Sequence, residues 1–402
     1  MNVLSALSRT LGNWSVERKM TIVFSVGVAV FPLASFIVLQ SRGSGAASNY
    51  LIGLSVLSII LLVPFAKWMS HVVALRNIQE LNEQCRLLKQ GSYSQVELPP
   101  ASGDGHDFLK LKRNMHWMGH TIAVRERKLQ KAMSDLAAAQ LQIGQSLEYA
   151  SLIQTSFLPH RADLSDYIPD HFLLWAQRDT VGGDAYWLKS TQTGFFLGVI
   201  DCTGHGVPGA FMTLIVTSLL DKASSDGVVS PAEILTRMNC LIKDALGQND
   251  RGAKSDDGMD CALCHVNNSG GSLVFAGANS PLYVLGPDGP RCIKGDRCGL
   301  GYVRSSRERA FTDVEVQVPD LTRFYLASDG LVDQAGGTMG FPFGRSRFMA
   351  FMEERRHTLI AGQGVELLQV LRQFQGDESR RDDVTVLGFE LKGGGENENE
   401  LV

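Results

Sequence analysis

The chain has 402 residues, enough for two or three domains of ordinary size, and a net charge of −4 from 38 Lys+Arg against 42 Asp+Glu. That balance provides no basic field to draw nucleic acid. The seven cysteines are odd in number and scattered, which argues against a secreted disulfide framework and suits a reducing compartment.

Residues 21–39 and 50–66 are uncharged, and each stretch is close to the about 17–25 residues that cross a bilayer. They predict a transmembrane hairpin within residues 1–69, with Trp14, Tyr50 and Trp68 at interfacial positions. Arg9, Arg18 and Lys19 precede the first span and Lys67, Arg76 and Lys89 follow the second, while Arg42 stands alone between them. This bias places both termini in the cytoplasm. A cleaved signal peptide is the alternative for the first span, and the second span following so soon opposes it.

From Val73 to Leu88 apolar residues recur at helical spacing until Gly91. Pro99, Pro100, Gly103 and Gly105 then break regular structure, and a helical pattern resumes at Phe108. Helix, connector and helix behind a membrane span resemble a HAMP signalling module over residues 70–128, although the acidic start of the second helix is reduced to DGHD. A plain pair of solvated spacer helices is the alternative. Leu129, Met133, Leu136, Gln140, Ile143, Leu147, Ala150 and Gln154 then alternate steps of four and three, a heptad seam over residues 129–158. The seam predicts a parallel homodimeric coiled coil, its glutamines weakening it enough to shift. A single helix packed on its own domain is the other reading.

Pro159 ends the helix and opens a domain over residues 159–392, followed by an acidic tail at 393–402 expected to be disordered. HFLLWAQ, GFFLGVID, MDCALCHV, SLVFAGA, PLYVLG, VEVQVP, RFYLASD and DVTVLGFEL read as strands. Residues 208–223, 231–246, 345–356 and 364–375 read as helices. Strands and helices in this mixed order predict an α+β domain with largely antiparallel sheets. The lone C-x-x-C of Cys261 and Cys264 lies in an apolar alternation and reads as strand, not zinc site.

Four aspartate frames stand out: VGGD ending at Asp184, VIDCTGHG with Asp201, LASDGLVD with Asp329, and RRDDVTVLGF with Asp382 and Asp383. Carboxylates gathered at strand ends form an oxygen-only set suited to Mg²⁺ or Mn²⁺, and two such ions can activate water and offset phosphoryl charge. In this order the frames resemble the PPM-class metal-dependent protein Ser/Thr phosphatases, specifically the bacterial SpoIIE-like branch, over about residues 154–391.

The resemblance implies an α/β-β/α sandwich and two divalent cations. It implies that Asp201 bridges them, with the carbonyl of Cys202 as a further ligand. Asp184, Asp329 and Asp382 would complete the metal set, with Asp383 as a second acid beside the ligand. His205 is a candidate general acid or an orienter of water, and Arg178 a candidate phosphate contact. Asp256, Asp257 and Asp260 either approach a third metal or cap a strand, and GFPFGRSRF resembles the family's flap. The expected protein is a phosphatase of a bacterial inner membrane acting on a phosphorylated STAS-domain anti-sigma factor antagonist. The alternatives are a catalytically silent scaffold and a small-molecule phosphohydrolase.

Overall fold

A computed structural model describes residues 76–91 and 107–392, except 226, 251, 269–270 and 319–320, together with a few isolated helical positions before residue 61. Apart from those positions the two apolar stretches lie outside the described residues, as do the acidic tail and the 92–106 connector. Among the described residues no helix is long and apolar enough to cross a membrane. The chain divides into two units, Met1–Gln140 and Leu141–Val402.

In the first unit, helix α1 spans Arg76–Lys89, and its Glu80 is ion-paired with Lys112. Lys112 lies on α2, a helix of 51 residues over Asp107–Phe157 that runs on into the second unit. The helical pattern and the heptad stretch are thus one uninterrupted helix. Leu129, Met133, Leu136 and Ile143 of the seam are exposed. Gln154 is buried instead, where α2 ends against the second unit's own core.

The second unit begins its globular part with the short helix α3 (Arg161–Tyr167) and strands β1 (His171–Ala176), β2 (Asp184–Ser190) and β3 (Gly194–Cys202). Helices α4 (Gly206–Ala223) and α5 (Pro231–Leu246) follow, the latter opened by Ser230, whose side chain accepts the Glu233 N–H, and by Pro231 at the first turn. Strands β4 (Met259–Asn267), β5 (Ser272–Ala278), β6 (Leu282–Gly286), β7 (Gly289–Ile293), β8 (Val314–Gln317) and β9 (Thr322–Ala327) come next. The short helix α6 (Asp329–Asp333) leads to the two-residue pair β10 (Ala335–Gly336) and β11 (Phe341–Pro342). Helices α7 (Gly344–Glu354) and α8 (Ile360–Gln375) and strand β12 (Val384–Leu391) complete the domain.

Two five-stranded sheets result, in the orders β1-β12-β9-β6-β7 and β2-β3-β4-β5-β8. All their strand pairs are antiparallel. One core joins residues of both sheets, including Val199, Leu263, Phe324 and Leu387, to Val216 and Leu220 of α4 and Leu235 and Met238 of α5. A second core packs Tyr283, Tyr325 and Val386 of the other sheet under Phe348 of α7 and Leu367 of α8. The layers are therefore helix, sheet, sheet, helix. Because both faces of each sheet are covered, strands such as GFFLGVIDC are almost continuously buried instead of alternating. Cys261 and Cys264 lie fully buried within β4 as free thiols.

The connectivity decides where the acids go. Strands β3 and β9 end at the edge of the sandwich where β2, β4 and β12 begin, so Asp201, Asp329, Asp184, Asp260 and the Asp382–Asp383 pair are delivered to one end.

Candidate active site

Asp184 is the cross-strand partner of Asp201, and Asp201 is in turn the partner of Asp260 on β4. Side chains of directly opposed residues share a face of the sheet, so these carboxylates form a row on the face turned toward the other sheet. That sheet supplies Asp329, whose backbone N–H donates to Oδ2 of Asp201 at 3.3 Å. It also supplies Ser328, whose hydroxyl donates to Oδ2 of Asp184 at 2.7 Å and accepts the Thr385 N–H at 2.9 Å. Ser328 thus ties β9, β12 and β2 together at the row.

Burial pushes the carboxyl of Asp184 up to about 8, with Ser328 opposing and the charges of Asp383 and Asp382 adding to it. Burial likewise holds Asp201 well above the carboxylate range, reinforced by the charges of Asp184, Asp329 and Asp382. Asp329 is raised for the same first reason. Asp260 is pushed up to about 6 by burial, against a hydrogen bond from Asn279 Nδ2 at 2.5 Å. Acids that raise one another in this way are stabilised by a proton or by a cation.

Among the described residues no three His, Cys, Asp or Glu side chains close into a ready-made ligand set. The donor chemistry nevertheless fits hard divalent cations: oxygen ligands only, buried, mutually repelling, at one end of two sheets. The Cys202 thiol is buried and held well above its ordinary range by burial and by the charges of Asp201 and Asp184, so the backbone carbonyl is the ligand that residue can offer.

Asp383 has a different job. Its Oδ1 accepts the Arg178 N–H and its Oδ2 the Gly183 N–H, both at 2.6 Å. A carboxylate that spends both oxygens on backbone amides fixes the loop that launches Asp184. Gly182 must lack a side chain, because an added methyl would meet this carboxylate, its carbon at 2.7 Å. Gly183 likewise faces the carbonyl oxygens of Gly204 and Cys202. These glycines let backbone and carboxylate approach one another. From the other side Gln154 donates to the Gly182 carbonyl at 2.6 Å and to the Thr213 hydroxyl at 2.8 Å, so the end of α2 grips the same loop.

The remaining candidates are scattered around the row. His205 caps the start of α4, and its Nδ1 meets Oδ2 of Asp179 at 3.0 Å. The Arg178 guanidinium donates to the Arg381 carbonyl at 2.9 Å. The SDDGMD run separates: Asp256 accepts the Val303 N–H at 2.7 Å, and the Asp257 N–H is held by Gln248 at 2.8 Å, while Asp260 joins the row. Within GFPFGRSRF, Arg345 lines a cavity of about 410 Å³ together with Asp201, Asp260 and Asp329. Sequence reasoning did not single out Ser328, Asn279, Asp179 or the true place of Gln154. Only Ser328 had a local signal, its position beside Asp329 in the SDG frame.

The family described as stage II sporulation protein E (SpoIIE) matches residues 191–392, half of the chain. The chain is similar to the SiaA-PP2C domain of Pseudomonas aeruginosa, at 37% identity over 63% of this chain and 98% of that one, with a TM-score of 0.57. The PP2C phosphatase domain with a regulatory fragment of SpoIIE from Bacillus subtilis is similar at 16% identity, over 56% of this chain and 61% of that one, with a TM-score of 0.46. The RsbU and RsbW domains of a Mycobacterium tuberculosis protein are similar at 18% identity, over 56% of this chain and 60% of that one, with a TM-score of 0.46. A comparison with curated proteins found no match.

Proposed function

The chain belongs to the SpoIIE family and holds a PP2C-type phosphatase domain, and from that premise we propose that it hydrolyses phosphoserine and phosphothreonine in a partner protein. The observation that supports this most is the row of Asp184, Asp201 and Asp260 faced by Asp329 from the second sheet. The side chains of Asp184, Asp201, Asp329 and Asp382 and the carbonyl of Cys202 are the groups to hold Mg²⁺ or Mn²⁺. Such ions, when bound, lower the pKa of a water and offset charge on the phosphoryl oxygens.

The chain's own residues do the rest by position. Asp383 and Gln154 fix the VGGD loop from two sides, and Ser328 fixes the Asp184 carboxylate. Asp179 orients the His205 ring through Nδ1, which leaves Nε2 as the nitrogen for proton transfer to the leaving seryl oxygen. Arg178, near the same loop, is the candidate phosphate contact.

The proposal extends to the rest of the chain on sequence grounds. The uncharged stretches 21–39 and 50–66 anchor it in a bacterial inner membrane with both termini in the cytoplasm, and full-length protein should then resist alkaline carbonate extraction. A HAMP-like linker and a homodimeric coiled coil pass a signal to the domain, and the exposed Leu129, Met133 and Leu136 are the residues a second copy would cover. Sedimentation of the full chain in detergent should give a dimer that Leu129→Lys and Leu136→Lys together dissociate. A phosphorylated STAS-domain protein is the proposed substrate, by family resemblance. Phosphate release from a phosphoserine protein, dependent on Mg²⁺ or Mn²⁺ and abolished by Asp201→Asn, tests the enzymatic reading; metal-independent turnover overturns it.

A further inference from the structure

Beside the acid row lies a second cavity of about 390 Å³, between β4 and the loop that follows β7, lined among others by Asp260, Asn279, Arg297, Tyr302 and Arg304. It shares Asp260 and Asn279 with the cavity that holds Asp201 and Asp329. Asn279 is the dividing wall, and among the described residues it alone, glycines aside, has a positive φ, 57°. It is held there by its N–H to the Asp296 carbonyl at 2.8 Å and by its side chain to Asp260.

The cavity is built, and it is tied to the catalytic end. The Thr203 hydroxyl, two residues after Asp201, donates to Tyr302 Oη at 3.2 Å. The Tyr302 carbonyl accepts from the buried Lys243 ammonium at 2.6 Å and from the buried Ser305 hydroxyl at 2.7 Å. Over the fixed Tyr302 ring stands the Arg304 guanidinium, 5.5 Å from the ring centre. Of the four arginines in this loop, Arg307 is ion-paired with Asp244 and Arg309 with Asp296. Arg297 and Arg304 have no ion pair among the described residues, and both are exposed at the cavity.

We propose that Arg297 and Arg304 bind an acidic side chain flanking the phosphoseryl residue of the substrate, so that this cavity selects phosphoproteins with a nearby glutamate or aspartate. The inference rests on the phosphatase reading above. Asp260 accepts from Asn279 and its charge also reaches Arg304, yet neither Arg297 nor Arg304 is closed into an ion pair among the described residues, and both sit one cavity away from where the phosphate must lie. A planar fork of donors matches a carboxylate. The phosphate itself belongs to the acid row and its cations, so the anion left for these arginines is a second one.

The test uses the full chain with Mg²⁺ and two phosphoserine peptides that differ only in flanking glutamates or alanines. The wild type should favour the acidic peptide in kcat/KM by about tenfold, mainly through KM, and Arg297→Gln with Arg304→Gln should abolish that preference. Calorimetric binding of the same two peptides gives the comparison without turnover. Equal treatment of both peptides by the wild type in both measurements, or a preference surviving in the double variant, overturns the pocket. Preferential binding of the acidic peptide without hydrolysis of either leaves the pocket standing and overturns the phosphatase reading instead.

Discussion

Asp383 Oδ2 accepts the Gly183 N–H at 2.6 Å, and this hydrogen bond joins the start of the last strand to the loop that launches Asp184 in the opposite sheet. The neighbouring Asp382, partly exposed, accepts the Asp383 N–H at 2.9 Å and keeps its carboxylate at the site. Adjacent acids therefore have separate hydrogen-bond partners. Asp383→Asn, which leaves a single acceptor oxygen for two backbone amides, the Gly183 one buried, should lower stability by about 1–3 kcal/mol and weaken metal binding as a consequence. Asp382→Asn should leave the melting temperature of the metal-free protein nearly unchanged while removing activity. Thermal melts beside phosphatase assays separate the two.

Gly182→Ala tests the close approach directly. Its methyl would fall on the Asp383 carboxylate, inside a well-packed loop, so the loop must shift or Asp383 must turn away. The expected cost is about 1–3 kcal/mol, with activity lost beyond what the melting temperature explains. A fully active, equally stable variant would show that the loop is looser than described.

Gln154 carries a prediction that separates packing from coiled-coil pairing. Replacing it by leucine improves a heptad seam but strands the Gly182 carbonyl and N–H in the interior and removes the bond that the Thr213 hydroxyl accepts. Gln154→Leu should lower the melting temperature of the full chain and its activity. A gain in stability would mean that the residue's partner is another helix.

His265 supplies a dependence on pH away from the site. Its ring is buried against Phe196, centroids 4.7 Å apart, and burial holds the imidazole below its ordinary range, with Asp313 opposing. The unfolded chain therefore takes up a proton near about pH 6.5 that the folded chain refuses until lower pH. The resulting stability is present above that value and lost as pH falls through it. The drop in melting temperature between about pH 7.5 and about pH 5.5 should be larger for the wild type than for His265→Phe.

Much of this was legible in the chain because the signals are local. An aspartate beside glycine at the end of an apolar run announces a strand terminus, and the frames at Asp184, Asp201, Asp329 and Asp382 all sit at one. The helix from Pro231 to Leu246 follows from its Ser230 cap and Pro231, whereas the one expected from Gly364 has no capping side chain and starts earlier, at Ile360. What escaped depends on register between distant segments. Asp260 read as one acid in a charged run, because its opposition to Asp201 exists only once β3 and β4 pair. Asp383 read as a second site acid, since the amides it accepts lie about 200 residues earlier. Gln154 fitted a helical period equally well on either side of the helix, and only the loop at Gly182 decided which.

On the proposed function, the carboxylates delivered by β2, β3, β9 and β12 hold cations for phosphoserine hydrolysis. Phosphate release from a phosphoserine protein by the purified full chain, with and without Mg²⁺ or Mn²⁺, measures it most directly. Turnover should require the metal and should vanish in Asp201→Asn while the fold, followed by circular dichroism, persists. Undiminished turnover in chelator, or in the folded Asp201→Asn variant, would contradict the account.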